Sequence, residues 1–139
     1  MSIIDQKNNH GFTLLVWIIN PQAAERIVSC AKKFADENGL ELKVVSVQRE
    51  AEDDWDKTIA DLQKLEDAAR RSDAELTVVY SDDRLKAAEE IALVERPFAM
   101  FCGMPEKSAA NSFVNAITAA LPDSPLYCVD EKCEVRLHE

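Results

Sequence analysis

Glycine is scarce in this chain, with three in 139 residues, at positions 11, 39 and 103. A loop that cradles phosphate needs several glycines close together, so that backbone N–H groups approach the anion unhindered. No complete loop of that kind is present. Histidine is scarcer still: His10 and His138 lie in the two tails. Neither a Ser–His–Asp nor a Cys–His catalytic arrangement can be assembled from them, and an enzyme is not the expected reading. Cys30, Cys102, Cys128 and Cys133 form no C-x-x-C pair and have no histidine nearby to complete a zinc set. Reduced, mostly buried thiols in a cytoplasmic chain are the expectation. No apolar run approaches the roughly 20 residues of a spanning helix. The first residues also lack the basic and apolar regions of a signal peptide. Basic residues are outnumbered 16 to 26, which gives a net charge of −10. That surface repels nucleic-acid backbones and anionic lipid, so neither is an expected partner, although one nucleotide in a local pocket is compatible with it.

What the chain does have is order. Residues 98–112 organise the rest: an apolar strand from Phe98 to Cys102, a tight turn at Gly103, and a helix opening near Ser108. A solid apolar run of this length suits a strand buried on both faces of a sheet. Before it, Phe12 to Ile19 reads as a first buried strand and Asn20-Pro21 as a helix start, with Ala24, Ile27, Val28, Ala31, Phe34 and Ala35 on one face. Asn38-Gly39 ends that helix. Leu42 to Val47 is a second strand, and Asp53 or Asp54 can cap a helix burying Trp55, Ile59, Leu62, Leu65 and Ala69. Leu76 to Tyr80 is a third strand. Ser81-Asp82-Asp83 caps a helix with Leu85, Ala88, Ile91 and Ala92 inward, stopped by Pro97. The helix after Ser108 turns Ala109, Phe113, Ala116, Ile117, Ala120 and Leu121 inward, and Leu126 to Val129 is a fifth strand. Glu134 to Leu137 either adds a short edge strand or frays. Residues 1–10 read as a loose tail of one domain spanning 1–139. Helices between successive strands imply an α/β fold: a parallel sheet covered by helices, with right-handed crossovers.

The order and spacing of several pieces carry a likeness. These are Asn20-Pro21-Gln22, Ala24-Glu25-Arg26-Ile27, Leu42 to Gln48, Ser81-Asp82-Asp83 and Phe101-Cys102-Gly103. From about Gly11 to Asp130 the chain resembles the universal stress protein domain, and most of all the version inside bacterial potassium-sensor kinases. The resemblance implies a Rossmann-like five-stranded parallel sheet in the order 3-2-1-4-5, with helices on both faces, and a homodimer through the fifth strand. It also implies ATP bound by Gly-x2-Gly-x9-Gly-Ser/Thr after the fourth strand. Gly103 matches the first glycine, but Glu106, Ala116 and Ile117 stand at the later positions, and Asn20 replaces an aspartate that reaches the nucleotide. Glu106 adds a side chain and a negative charge at the phosphate approach, so weak ATP binding is expected. AMP or a cyclic dinucleotide are the other ligands the resemblance brings.

The expected pocket lies at the switch point between strands 1 and 4, lined by Ile19, Asn20, Val47, Cys102, Gly103, Ser108, Asn111 and Ser112. Its polar members would donate to a phosphate at a helix N-terminus. The alternative is that Ser108 caps the helix and the rest pack. Cys102 is either a redox-responsive thiol or, more commonly for such a position, a buried strand-end cysteine. Trp55 either stacks on an adenine or packs. The leading reading is a non-enzymatic sensor or regulatory module with an unidentified protein partner. Competing with it are an ATP-binding member with slow hydrolysis and a structural interaction domain with no ligand.

Overall fold

The computed structural model describes residues 12–49, 55–103 and 108–138, with the side chains of 108–111 outside that description. The expected alternation is realised. The strands are β1 (Thr13–Trp17), β2 (Glu41–Gln48), β3 (Glu75–Tyr80), β4 (Ala99–Gly103), β5 (Leu126–Val129) and β6 (Val135–Leu137). Between them run α1 (Ala24–Asn38), α2 (Trp55–Arg71), α3 (Arg84–Glu95) and α4 (Ser108–Ala120). The sheet order is β3-β2-β1-β4-β5-β6. Strands 1 to 5 pair in parallel, with Val16 beside both Val44 and Phe101. The sheet therefore has six strands rather than five. The sixth runs antiparallel to β5, with Val129 opposite Val135 and Tyr127 opposite Leu137.

Period-two alternation divides the core into two layers. Leu14, Val16 and Ile18 face α1 and α2, where Ile27, Val28, Ala31, Leu65 and Ala68 complete one cluster. Leu15, Trp17 and Val45 face α3 and α4, against Ala88, Ala92, Phe113, Val114 and Ile117. Trp17 is buried, and its indole N–H finds the Met100 thioether at 3.4 Å. Its ring meets Phe113 edge-on at 5.5 Å.

Local signals act as the residue types dictate. The Asn20 side chain accepts from the Gln22 N–H, and Pro21 opens a 3-10 turn that leads into α1. Gly39 closes α1 at φ 67°, a left-handed cap that costs glycine nothing. Asp83 caps α3 by accepting from the Lys86 N–H at 3.1 Å.

Several core expectations are corrected. Trp55 and Ile59 are exposed, as is Leu85. Helical spacing fixes the face a residue shares with Leu65 and Ala69, but not whether a neighbour covers that face at the helix end. Phe98 lies outside β4 and is also exposed. The thiols are not all reduced: Cys30 and Cys133 form a disulfide across 103 residues of sequence. The hairpin turn between β5 and β6 brings Cys133 back to α1, a return that cysteine spacing could not show. The tail at 1–10, the capping Asp53 and Asp54, and Glu106 lie outside the described residues.

Candidate functional site

Parallel strands deliver their C-terminal ends to one rim of the sheet, and there the chain leaves a cavity of about 630 Å³. Ile18 and Ile19 come to it from the end of β1, and Val47 and Arg49 from the end of β2. Asp82, Asp83, Arg84 and Leu85 come from the β3–α3 turn, and Ser112 and Phe113 from α4. Ligands collect at this rim in open α/β sheets, because crossovers part on either side of the switch point. Here β1 is flanked by β2 and β4, and the connections diverge between them.

The floor is apolar and the rim carries both signs. The inner wall is held in place by Ser46, a buried hydroxyl that donates to the Ile18 carbonyl at 2.8 Å and accepts from the Gln48 amide at 2.6 Å. The pair bolts the end of β1 to the end of β2 directly beneath the rim. Asp83 is engaged by its cap, whereas Arg49 and Arg84 present cationic groups and Asp82 a carboxylate.

The expected site residues divide. Val47 and Ser112 line the cavity, together with Ile19. Asn20 instead caps the turn at Pro21, its Oδ1 engaged by the Gln22 N–H. Gly103 ends β4 against α1: a Cβ added there would stand 2.8 Å from Ile27 Cδ1. Close packing on α1 therefore favours glycine here, although the contact is with the tip of the Ile27 side chain, which a small rotation would move. Ser108 and Asn111 lie in the first turns of α4, with side chains outside the described residues. The sequence reading missed Arg49 and Arg84. Each follows a strand end directly or by one capped turn, the signal that could have marked them.

Cys102 is not at the rim. It is fully buried on the α3–α4 side, with its Sγ 3.6 Å from that of Cys128, its register partner on β5. The hydrogen bond with Cys128, followed by burial, pushes the Cys102 thiol up from its ordinary range. This is the buried strand-end reading. Among the described residues no group of three or more His, Cys, Asp or Glu side chains could hold a metal ion.

The topology defines a doubly wound α/β domain whose rim cavity lies at the switch point of the sheet. More narrowly, the fold is that of the universal stress proteins. A universal stress protein from Archaeoglobus fulgidus superposes with a TM-score of 0.65 at 17% identity, over 91% of this chain and 98% of that one. The structure of the universal stress protein from Archaeoglobus fulgidus in complex with dAMP gives 0.59 at 17% identity, over 84% and 97%. A universal stress protein in complex with cAMP gives 0.61 at 15% identity, over 86% and 97%. Neither a protein-family model nor a curated protein matches the sequence. No helix among the described residues is long and apolar enough to cross a membrane.

Proposed function

We propose that this chain is a non-enzymatic, cytoplasmic sensor or regulatory module of the stress-protein type that holds a mononucleotide in the rim cavity. The observation that carries the reading is the lining itself: an apolar floor beside two arginines, Arg49 and Arg84, which offset Asp82 and Asp83 at the rim of a chain whose net charge is −10. A base fits over Ile18, Ile19 and Val47. The ribose hydroxyls find Asp82, an acceptor of the type that reads ribose in other doubly wound folds. The phosphate goes to the arginines, whose planar donors suit its oxygens. The dAMP and cAMP complexes of the similarly folded proteins support a monophosphate as ligand class. The departures from the glycine loop at Glu106, Ala116 and Ile117 argue against the longer phosphate chain of ATP. The finer likeness to the potassium-sensor version rests on residue order alone.

Titration calorimetry with AMP, cAMP, ATP, a cyclic dinucleotide and adenosine tests the assignment. AMP or cAMP should bind more tightly than ATP. Replacing Arg49 and Arg84 together by Ala should lower AMP affinity roughly tenfold or more, the equivalent of one charge-assisted contact of about 1.5–3 kcal/mol. Adenosine affinity should hardly change. No heat with any of the five, or ATP as the tightest ligand, would refute the reading.

A further inference from the structure

Strand β6 is three residues long and exposed at every one of them. It nevertheless occupies the whole outer edge of β5, and the ladder is extended by the His138 N–H donating to the Leu126 carbonyl at 2.8 Å. A strand this short that buries so little has little hold of its own on a sheet. Its hold comes from the turn before it. The Asp130 carboxylate accepts from the N–H groups of Lys132 and Glu134, at 2.8 and 3.0 Å. Arg26 of α1 donates to the Asp130 carbonyl at 2.6 Å. Cys133 is tied covalently to Cys30 on the inner face of α1. The disulfide is the strongest of these ties and the one that chemistry can remove.

What lies beneath is an edge made for pairing. Leu126, Tyr127, Cys128 and Val129 carry no charge, and a strand edge discourages pairing chiefly through charge, proline or a bulge. The slot that β6 fills is antiparallel. A two-fold axis beside β5 would offer it the same strand of a second copy in the same antiparallel sense, a self-complementary contact.

We propose that the Cys30–Cys133 disulfide is a redox latch, and that its reduction frees β6 and opens the β5 edge to a second copy of this chain. The two ends of the latch differ in access: Cys30 is 6% exposed, whereas Cys133 stands in the exposed turn. A dithiol reductant attacks there. Its thiolate bonds to the Cys133 sulfur, the Cys30–Cys133 bond breaks, and Cys30 leaves as a thiolate that takes a proton. The reductant's second thiol then displaces Cys133, which leaves as a thiol, and the reductant departs as its own disulfide. Two electrons and two protons pass to the protein. Intracellular disulfides are typically transient and redox-sensing, which suits a latch in a cytoplasmic regulatory module.

Light scattering on the full chain, with and without dithiothreitol, tests the latch. The oxidised protein should run at 15.6 kDa and the reduced protein at twice that mass. The Cys30→Ser/Cys133→Ser variant should be dimeric without reductant. Amide exchange adds an independent readout in the wild-type chain. On reduction, protection of residues 135–138 should fall while that of residues 13–17 and 41–48 is kept. Equal masses in the two states would overturn the proposal. So would a dimer present before reduction, unchanged exchange at 135–138, or global unfolding on reduction, which would make the bond a structural staple.

Discussion

Removing Glu95 alone should destabilise this protein far more than removing it together with its partner. Lys43 on β2 reaches the Glu95 carboxylate at the end of α3, 2.5 and 2.6 Å from its two oxygens. The side chains are 22% and 15% exposed, and Lys43's other acidic neighbour, Glu75, is 3.9 Å away and mostly in water. A solvent-exposed pair contributes about 0–1 kcal/mol, whereas breaking a fully buried one costs about 3–5 kcal/mol. At this burial, with Glu75 as a partial substitute, Glu95→Gln should cost about 2 kcal/mol. With about 2.1 cal/mol/K of unfolding entropy per residue, 139 residues give about 0.29 kcal/mol/K, so Tm should fall by about 7 °C. The pair flanks a cavity of about 320 Å³ lined also by Val45, Val79, Ile91 and Val94. Lys43→Met with Glu95→Leu therefore puts apolar groups among apolar neighbours and removes both desolvation penalties. That double variant should melt within about 3 °C of wild type, or about 1 kcal/mol. Thermal melts at low and moderate salt supply the measurement, and the single variant's loss should persist at moderate salt because a sheltered pair is little screened. A loss under about 0.5 kcal/mol for Glu95→Gln would refute the reasoning. So would a double variant less stable than the single one.

Two further outcomes follow from the cysteines and the β5–β6 turn. A thiol titration of the native oxidised chain should find almost no reactive groups. In denaturant without reductant it should find two, Cys102 and Cys128, and with prior reduction all four; a native protein that reacts quickly at Cys102 would contradict its burial. The Asp130 carboxyl is held below its ordinary range, first by the Glu134 N–H and then by the Lys132 N–H and the Arg136 charge, against some opposing desolvation. A depressed carboxylate contributes its stability in full above its unfolded pKa of about 3.9, and loses it as pH falls through the lower folded value. Amide exchange at Lys132 and Glu134, read relative to Val44 and Val45, should therefore accelerate selectively below about pH 4. Uniform acceleration across the sheet would show that the turn has no titration of its own.

Much of the architecture was legible in the residues because it rests on local rules. Five apolar runs name five strands, and caps or prolines mark where helices between them start and stop. Helical stripes between them require parallel pairing and crossovers. Asn20-Pro21, Asn38-Gly39 and Asp83 act where their chemistry puts them. That topology also opens a cavity at the rim, and Val47 and Ser112, named from the sequence, line it.

What only the tertiary structure decided depends on which surfaces meet. Trp55, Ile59 and Leu85 have the spacing of core residues, yet the described residues leave them exposed, because a stripe specifies direction and not a neighbour. Gly103 sits where a phosphate-loop glycine would, and the approach of Ile27 gives it a packing reason. Arg49 and Arg84 are 35 positions apart and converge only because β2 and β3 are adjacent strands. Cys30 and Cys133 are 103 positions apart and meet only because the five residues between β5 and β6 turn the chain back along that edge. Local sequence sets dihedral preference and the periodicity of burial. Long-range contacts are set by the closing of loops, whose entropic cost grows so slowly with length that spacing along the chain carries almost no record of them.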